Sequence, residues 1–200
     1  MRINKLRDIL SSDSFLVLGV TGKMASGKNF ICSELEKLGF VSVDCDKEVH
    51  KVLEEKKEKI INTFSDYADK KNLILRNSDG SLNRRNLGAL LFQNSELLSL
   101  HESIVYPALT KNVTALINSA RTSNSTRGII INATVLYKTP ELLNKCDRII
   151  YVQSNFITRF LRARKRDRMS FGQIKNRFLS QLHLKDRYKE SGIKIITIRN

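Results

Sequence analysis

The sequence predicts an α/β protein built on a parallel, doubly wound sheet, with one helical insertion and a helical segment near the end. Three observations lead there. Short, wholly apolar runs alternate with stretches of helical periodicity. The connections between those runs exceed a dozen residues, as crossovers between parallel strands require. About eighty residues between the second and third runs show no strand pattern beyond Leu73 to Leu75, and they read as inserted helices.

Taken in order, Phe15 to Val20 is apolar throughout, the mark of a strand buried on both faces. Asn29 to Leu38 carries Phe30, Ile31, Leu35 and Leu38 at helical spacing and stops at Gly39, a natural helix end. Val41 to Val43 leads a second strand into Asp44. The insertion reads as helices at about 47–55, 57–65, 84–92 and 95–120, broken by the turn Asn77-Ser78-Asp79-Gly80-Ser81. Phe64, Tyr67 and Phe92 read as its core. Gly128 to Ile131, Arg148 to Val152 and Ile193 to Ile198 are the remaining strands.

Composition narrows the function classes. Two hundred residues suit one α/β domain with an inserted subdomain. No apolar run reaches the eighteen or so residues of a membrane span. Met1 to Ser14 is amphipathic and charged, without the apolar core of a secretory signal. Cys32, Cys45 and Cys146 are an odd number without a CxxC pair, which argues for buried thiols in a reducing compartment. A cytoplasmic location is the expectation. The net charge of +15 calls for an anionic partner: nucleic acid, a membrane surface or a polyanionic small substrate. Between Arg159 and Lys189 there are eleven Lys or Arg against Asp167 and Asp186, a stripe that fits a phosphate-gripping lid and RNA contact alike.

The motif that carries chemistry is Gly22-Lys23-Met24-Ala25-Ser26-Gly27-Lys28, which matches G-x-x-x-x-G-K. Backbone N–H groups of such a loop cradle phosphates at a helix N-terminus, and its lysine reaches the β/γ oxygens. The loop follows an apolar strand and opens a helix, the placement this mechanism requires. The next position usually holds Ser or Thr for Mg²⁺, and here it is Asn29. Its amide oxygen is a neutral hard donor set one bond further out.

With these residues in place the chain resembles the dephospho-CoA kinases, from about Phe15 to Tyr188. The family's D-A-D is met by Asp44-Cys45-Asp46, its L-D-R-R-x-L by Leu82-Asn83-Arg84-Arg85-Asn86-Leu87, and its His-Pro by Tyr106-Pro107. The lid pattern is met by Arg162, Arg166-Asp167, Ser170, Arg177, Gln181 and Arg187. Where the family's third strand often ends D-V-P-L-L, this chain has Asn132-Ala133-Thr134-Val135-Leu136, and the family's later D-N has no clean counterpart.

The resemblance implies a P-loop kinase fold. Its nucleotide-binding core would comprise 1–46, 122–154 and 188–200, its substrate-binding insertion 47–121 and its lid 155–187. It implies ATP and Mg²⁺ as cofactors and dephospho-CoA as the partner, with the basic charge serving phosphates rather than nucleic acid. Gly22, Lys23, Met24, Ala25, Ser26, Gly27, Lys28, Asn29 and Phe30 would bind ATP, with Arg162 and Arg166 closing over it. Lys28 and Asp46 would be catalytic, Asp46 orienting the ribose hydroxyl and accepting its proton. Asp46, Arg84, Arg85 and Tyr106 would meet the substrate, and Asn29 and Asp44 the metal. Bland readings stand beside these: Asp46 as a helix N-cap, Arg84 and Arg85 as a solvated face, Arg162 and Arg166 as an exposed basic helix, and Tyr106 as packing in the long helix. Two other functions stay open, a P-loop kinase for another nucleoside-like acceptor and a nucleotide-binding module without kinase activity.

Overall fold

In the computed structural model, strand β1 (Leu16–Thr21) is buried at all six positions and forms the centre of a sheet. The structure describes residues 14–92, 94–123, 125–167 and 170–200, with backbone alone at 166 and 167. Of the charged stretch Met1 to Ser14, only Ser14 lies among the described residues. β1 is flanked by β3 (Gly128–Asn132) and β4 (Arg148–Gln153), and the edges are β2 (Phe40–Asp44) and β5 (Ile195–Arg199). All four pairings are parallel, in the order β2-β3-β1-β4-β5. Chain order and spatial order differ because β3 returns between β1 and β2. The connections leaving neighbouring strands β1 and β3 therefore run in opposite directions, the switch point at whose carboxyl ends α/β sheets hold ligands.

Burial explains the near-continuous apolar strands. Helix α1 (Lys28–Glu36) packs Ile31, Cys32 and Leu35 onto one face of the sheet, against Leu16, Leu18, Val20, Ile130, Ile150, Val152 and Ile198. Each such aliphatic side chain contributes about 1.5–3 kcal/mol on leaving water. Burial also pushes the Cys32 thiol up to about 12, so it stays protonated and unreactive. Cys45 and Cys146 are buried too, as the sequence led us to expect.

The chain divides into two compact units, one running up to Asp44 and resuming at Thr114 to Asn200, the other Cys45–Val113. The second unit contains α2 (Cys45–Glu55), α3 (Lys57–Asp69), α4 (Arg84–Leu91) and most of α5 (Ser95–Thr122). Leu73 to Leu75 form no strand, only an isolated antiparallel bridge between Arg76 and Leu82. There Arg76 grips Glu58 through two hydrogen bonds of 2.8 and 2.6 Å, and Ser81 bonds Asp79 to close the turn. Phe64 is fully buried, but Tyr67 is 44% and Phe92 84% exposed. Phe92 caps the C-terminus of α4, one residue beyond the last buried leucine, so its ring falls outside the core that the apolar pattern assigned to it.

His101 of α5 is half-buried beside Phe64, and its Nε2 has no hydrogen-bond partner. Burial lowers its pKa, since the charged ring is the form that loses hydration. A depressed histidine pKa means the unfolded chain takes up the proton first as pH falls. The stability at stake is therefore fully present above the ordinary histidine pKa near 6.5 and drains as pH drops towards the lower folded value. Urea titrations at pH 7.5 and 5.5 should show a larger loss of midpoint in the native chain than in His101→Gln. Equal losses would remove His101 from the account.

The remaining helices of the first unit are α6 (Pro140–Leu143), preceded by a 3₁₀ turn at Leu136–Lys138, then α7 (Phe156–Asp167), α8 (Phe171–Leu179) and α9 (Leu184–Lys189). Ser170 starts α8 with a capping box, its hydroxyl accepting from the Gln173 N–H while the Gln173 side chain accepts from the Ser170 N–H. Tyr188 of α9 is fully buried and donates its hydroxyl to the Thr134 carbonyl at 2.9 Å, with the Thr21 hydroxyl 3.0 Å away. This ties the end of β1 to the loop after β3.

Candidate active site

The chain leaves β1 at Thr21 and turns back on itself before α1, because three residues accept backbone angles that open the turn. Ala25 and Gly27 have φ of 59° and 95°. A Cβ on Gly22 would run into the Val152 carbonyl and the Ser26 hydroxyl, so only glycine fits there. Gly27 is also the N-cap of α1 and gives it no side-chain cap. The first N–H groups of the helix thus face the loop with the positive end of the helix dipole behind them. Lys28 donates to the Gly22 carbonyl at 3.3 Å, spanning the mouth of the loop. Ser26 is 1% exposed, and its Oγ has no hydrogen-bond partner. A buried hydroxyl left without a partner costs about 1–3 kcal/mol, which a phosphate oxygen would relieve.

The loop is braced from the C-terminal helices. Arg159 donates from Nε to the Met24 carbonyl at 2.9 Å, Gln181 accepts the Met24 N–H at 2.7 Å, and Arg162 donates to the Ser26 carbonyl at 3.5 Å. Met24 itself is buried among Ala163, Ile174 and Phe178, so its side chain is an anchor under α7 and α8. Arg159 is 6% exposed, stacks 4.0 Å from the centroid of Phe178, and leaves Nη2 buried without a partner. Burial lowers its pKa, and burial followed by the Arg159 charge lowers that of Lys23. Crowded, partly desolvated cations of this kind gain from a bound anion. Phe30 and Arg162 are exposed, and the Arg166 side chain lies outside the described residues.

At the carboxyl end of the sheet, Asp44 and Asn132 are register partners across β2 and β3. Asn132 is 6% exposed and donates from Nδ2 to Oδ1 of Asn29 at 3.0 Å, while its own Oδ1 is buried without a partner. Asn29, exposed on the first turn of α1, already has one lone pair engaged. No group of three or more His, Cys, Asp or Glu able to hold a metal occurs among the described residues. A divalent ion at this point would depend on nucleotide phosphates for most of its ligands, as Mg²⁺ commonly does.

The second unit holds the other sequence-picked residues. Asp46 is exposed and is the second residue of α2, inside its first turn rather than ahead of it. Its charge favours that helix end through the dipole, and the capping alternative gives way to this placement. Arg84 and Arg85 open α4 after Asn83, whose side chain accepts the Asn86 N–H at 3.1 Å. Both arginines are exposed and line a groove of about 510 Å³ with His50, Glu54 and Asn77. Asp46 lies one turn before His50, on the same side of α2. Tyr106, on α5 beside the helix-interior Pro107, is half-buried and does not line this groove.

Sequence reasoning missed Arg159, the Asn29–Asn132 pair and Asn200. Arg159 stands three residues before Arg162, a helical spacing that puts both on one face, and this signal was available. Asn200 follows β5 and donates from Nδ2 to the Ser26 carbonyl at 3.1 Å, a placement no local pattern announces. Arg159→Met keeps the stem's packing but removes the bond to the loop. The KM for ATP should rise roughly tenfold with a smaller change in kcat, the scale of one charge-assisted hydrogen bond. Initial rates across an ATP titration check this, and an unchanged KM would contradict the bracing role.

The family model for dephospho-CoA kinase matches residues 16–197. The chain is 32% identical over 185 residues to the dephospho-CoA kinase of Treponema denticola, covering 92% of this chain and 82% of the relative. It is 34% identical over 165 residues to that of Treponema pallidum, covering 82% and 77%. Among solved structures it is similar to the dephospho-CoA kinase of Campylobacter jejuni, with a TM-score of 0.67 at 23% identity over 92% of this chain and 88% of that one. TT1252 from Thermus thermophilus has a TM-score of 0.73 at 20% identity, covering 94% and 89%, and like the Campylobacter structure it speaks for the fold. A phosphate-shaped loop on a five-stranded parallel sheet, with the family model spanning nearly the whole chain, shows that this protein belongs to the dephospho-CoA kinase family.

Proposed function

We propose that the chain transfers the γ-phosphoryl group of ATP to the ribose 3′-hydroxyl of dephospho-CoA, with Mg²⁺ bound alongside the nucleotide, as the last step of CoA biosynthesis in the cytoplasm. The observation that carries the reading is the loop Gly22–Lys28, with its uncapped helix start, unpartnered buried Ser26 Oγ and converging cations. The fold-family membership narrows the acceptor.

Phosphoryl transfer asks for charge neutralisation and in-line positioning more than for covalent help. In this reading the loop N–H groups and Lys28 hold the ATP phosphates. Arg162 and Arg166 close over them and exclude water, which limits hydrolysis. Asp46 orients the acceptor hydroxyl and takes its proton, while Arg84 and Arg85 grip substrate phosphate. A carboxylate is a weak base at neutral pH, so orientation is the larger part of Asp46's work. Mg²⁺, held with help from Asn29 and Asp44, would supply neutralisation of the phosphate charge. The functional division follows the same lines: a nucleotide-binding core, a substrate-binding insertion and a lid over 155–187. No helix among the described residues is long and apolar enough to cross a membrane.

ADP release in the presence of Mg²⁺ and ATP, with and without dephospho-CoA, tests the reading. Release that depends on dephospho-CoA supports it, and a better rate with a nucleoside acceptor would overturn the substrate assignment.

A further inference from the structure

Asn29 and Asn132 come from different elements, the first turn of α1 and the last residue of β3, yet their carboxamides meet at 3.0 Å. Asn132 is almost wholly buried, and its Oδ1 accepts nothing. An amide oxygen has two acceptor sites. Asn29 Oδ1 uses one on Asn132 Nδ2, so the pair keeps three acceptor sites on two neutral oxygens. Asp44 stands level with Asn132 on the adjacent strand and on the same face of the sheet. Two hard neutral oxygens and one carboxylate thus gather beside the phosphate loop, a donor set suited to a hydrated divalent cation.

Resting on the kinase reading, we propose that Asn29 and Asn132 act as one unit: Asn132 is a positioning residue that locks the Asn29 carboxamide, and its own Oδ1 takes a hydrogen bond from the water shell of the nucleotide-bound metal. The bond explains how this chain works without a hydroxyl after Lys28. An asparagine there has two free side-chain torsions, and the buried partner freezes them so that the oxygen is presented in one place. Asn29→Thr alone removes the acceptor of Asn132 Nδ2 and leaves a buried carboxamide with no partner at either end. The apparently conservative change is therefore harmful.

The test measures binding, with Mn²⁺ as the spectroscopic probe and a non-hydrolysable ATP analogue on the intact chain. Asn29→Ala, Asn132→Ala, the double variant and Asn132→Asp are compared with the native protein. Each alanine variant should weaken Mn²⁺ binding to the protein–analogue complex about fivefold, the scale of one net hydrogen bond. The double variant should lose less than the sum of the two single losses, because part of what Asn29 contributes depends on its bond to Asn132. Asn132→Asp can no longer donate to Asn29 Oδ1, but it places a full negative charge facing the metal's waters, so Mn²⁺ binding should still tighten several-fold while the urea midpoint falls. A purely structural Asn132 would lower the midpoint without tightening Mn²⁺, and that result overturns the proposal. So do additive losses in the two alanine variants. Failure of the native chain to bind the analogue, with or without metal, would overturn the kinase reading and this proposal with it.

Discussion

Lys28→Ala lowers phosphoryl-transfer turnover by about a thousandfold or more and leaves the fold unchanged. Lys28 opens α1 at the end of the phosphate loop and spans it to the Gly22 carbonyl at 3.3 Å, a bond that a phosphate oxygen would replace when the site fills. In the proposed reaction its ammonium would meet the charge that grows during transfer, inside a loop from which the nucleotide displaces water. Loss of one preorganised donor at such a point costs about 10²–10³ in rate, and loss of a cation at a transferring phosphoryl group can cost 10³–10⁵. Helix α1 is anchored to the sheet through Ile31, Cys32 and Leu35, none of which the truncation touches, so stability is spared. Single-turnover rates and a urea melt check both halves. A variant with near-native turnover would refute the assignment of the loop.

The second large effect belongs to the acceptor side. Asp46→Asn preserves size and hydrogen-bonding reach but removes the charge that would orient the hydroxyl and receive its proton. Transfer should fall roughly 10²–10⁴-fold, the range of general acid–base contributions, while ATP affinity stays within about twofold. The exposed position of Asp46 in the first turn of α2 means the substitution forfeits only a helix-dipole contribution of about 0.3–1 kcal/mol. Asp44→Asn should act differently, through a higher Mg²⁺ requirement, because Asp44 ends β2 in register with Asn132. Parallel titrations of ATP, Mg²⁺ and dephospho-CoA separate the two aspartates. Equal, mild losses in both variants would sink the role given to Asp46.

The basic stripe near the C-terminus takes on meaning through contacts that charge counting could not supply. By charge alone the eleven cations between Arg159 and Lys189 are alike, and the family resemblance picked out Arg162 and Arg166 among them but not Arg159. In the structure Arg159 is buried under the phosphate loop, Arg162 reaches the Ser26 carbonyl, and Arg187 stays exposed. Arg159 is set apart by what surrounds it: the Phe178 ring on one side and the Met24 carbonyl on the other. Similarly, Phe64 and Phe92 share the same apolar character, and only the end of α4 separates a core ring from a solvent-facing one.

The sequence by itself determined the inner strands β1, β3 and β4, because strands buried on both faces must be apolar along their buried length. It also determined the phosphate loop, because glycine is favoured at the left-handed Gly27 and required at Gly22, where a Cβ would strike the Val152 carbonyl. Both are local constraints, written within a dozen consecutive residues. The order β2-β3-β1-β4-β5 and the meetings of Asn29 with Asn132, Met24 with Arg159 and Gln181, and Ser26 with Asn200 belong to the tertiary structure. Those partners lie between 103 and 174 residues apart along the chain. A hydrogen bond over such a separation leaves no periodicity or spacing in the sequence; it exists only once the core has brought the strand ends and the C-terminal helices around one loop.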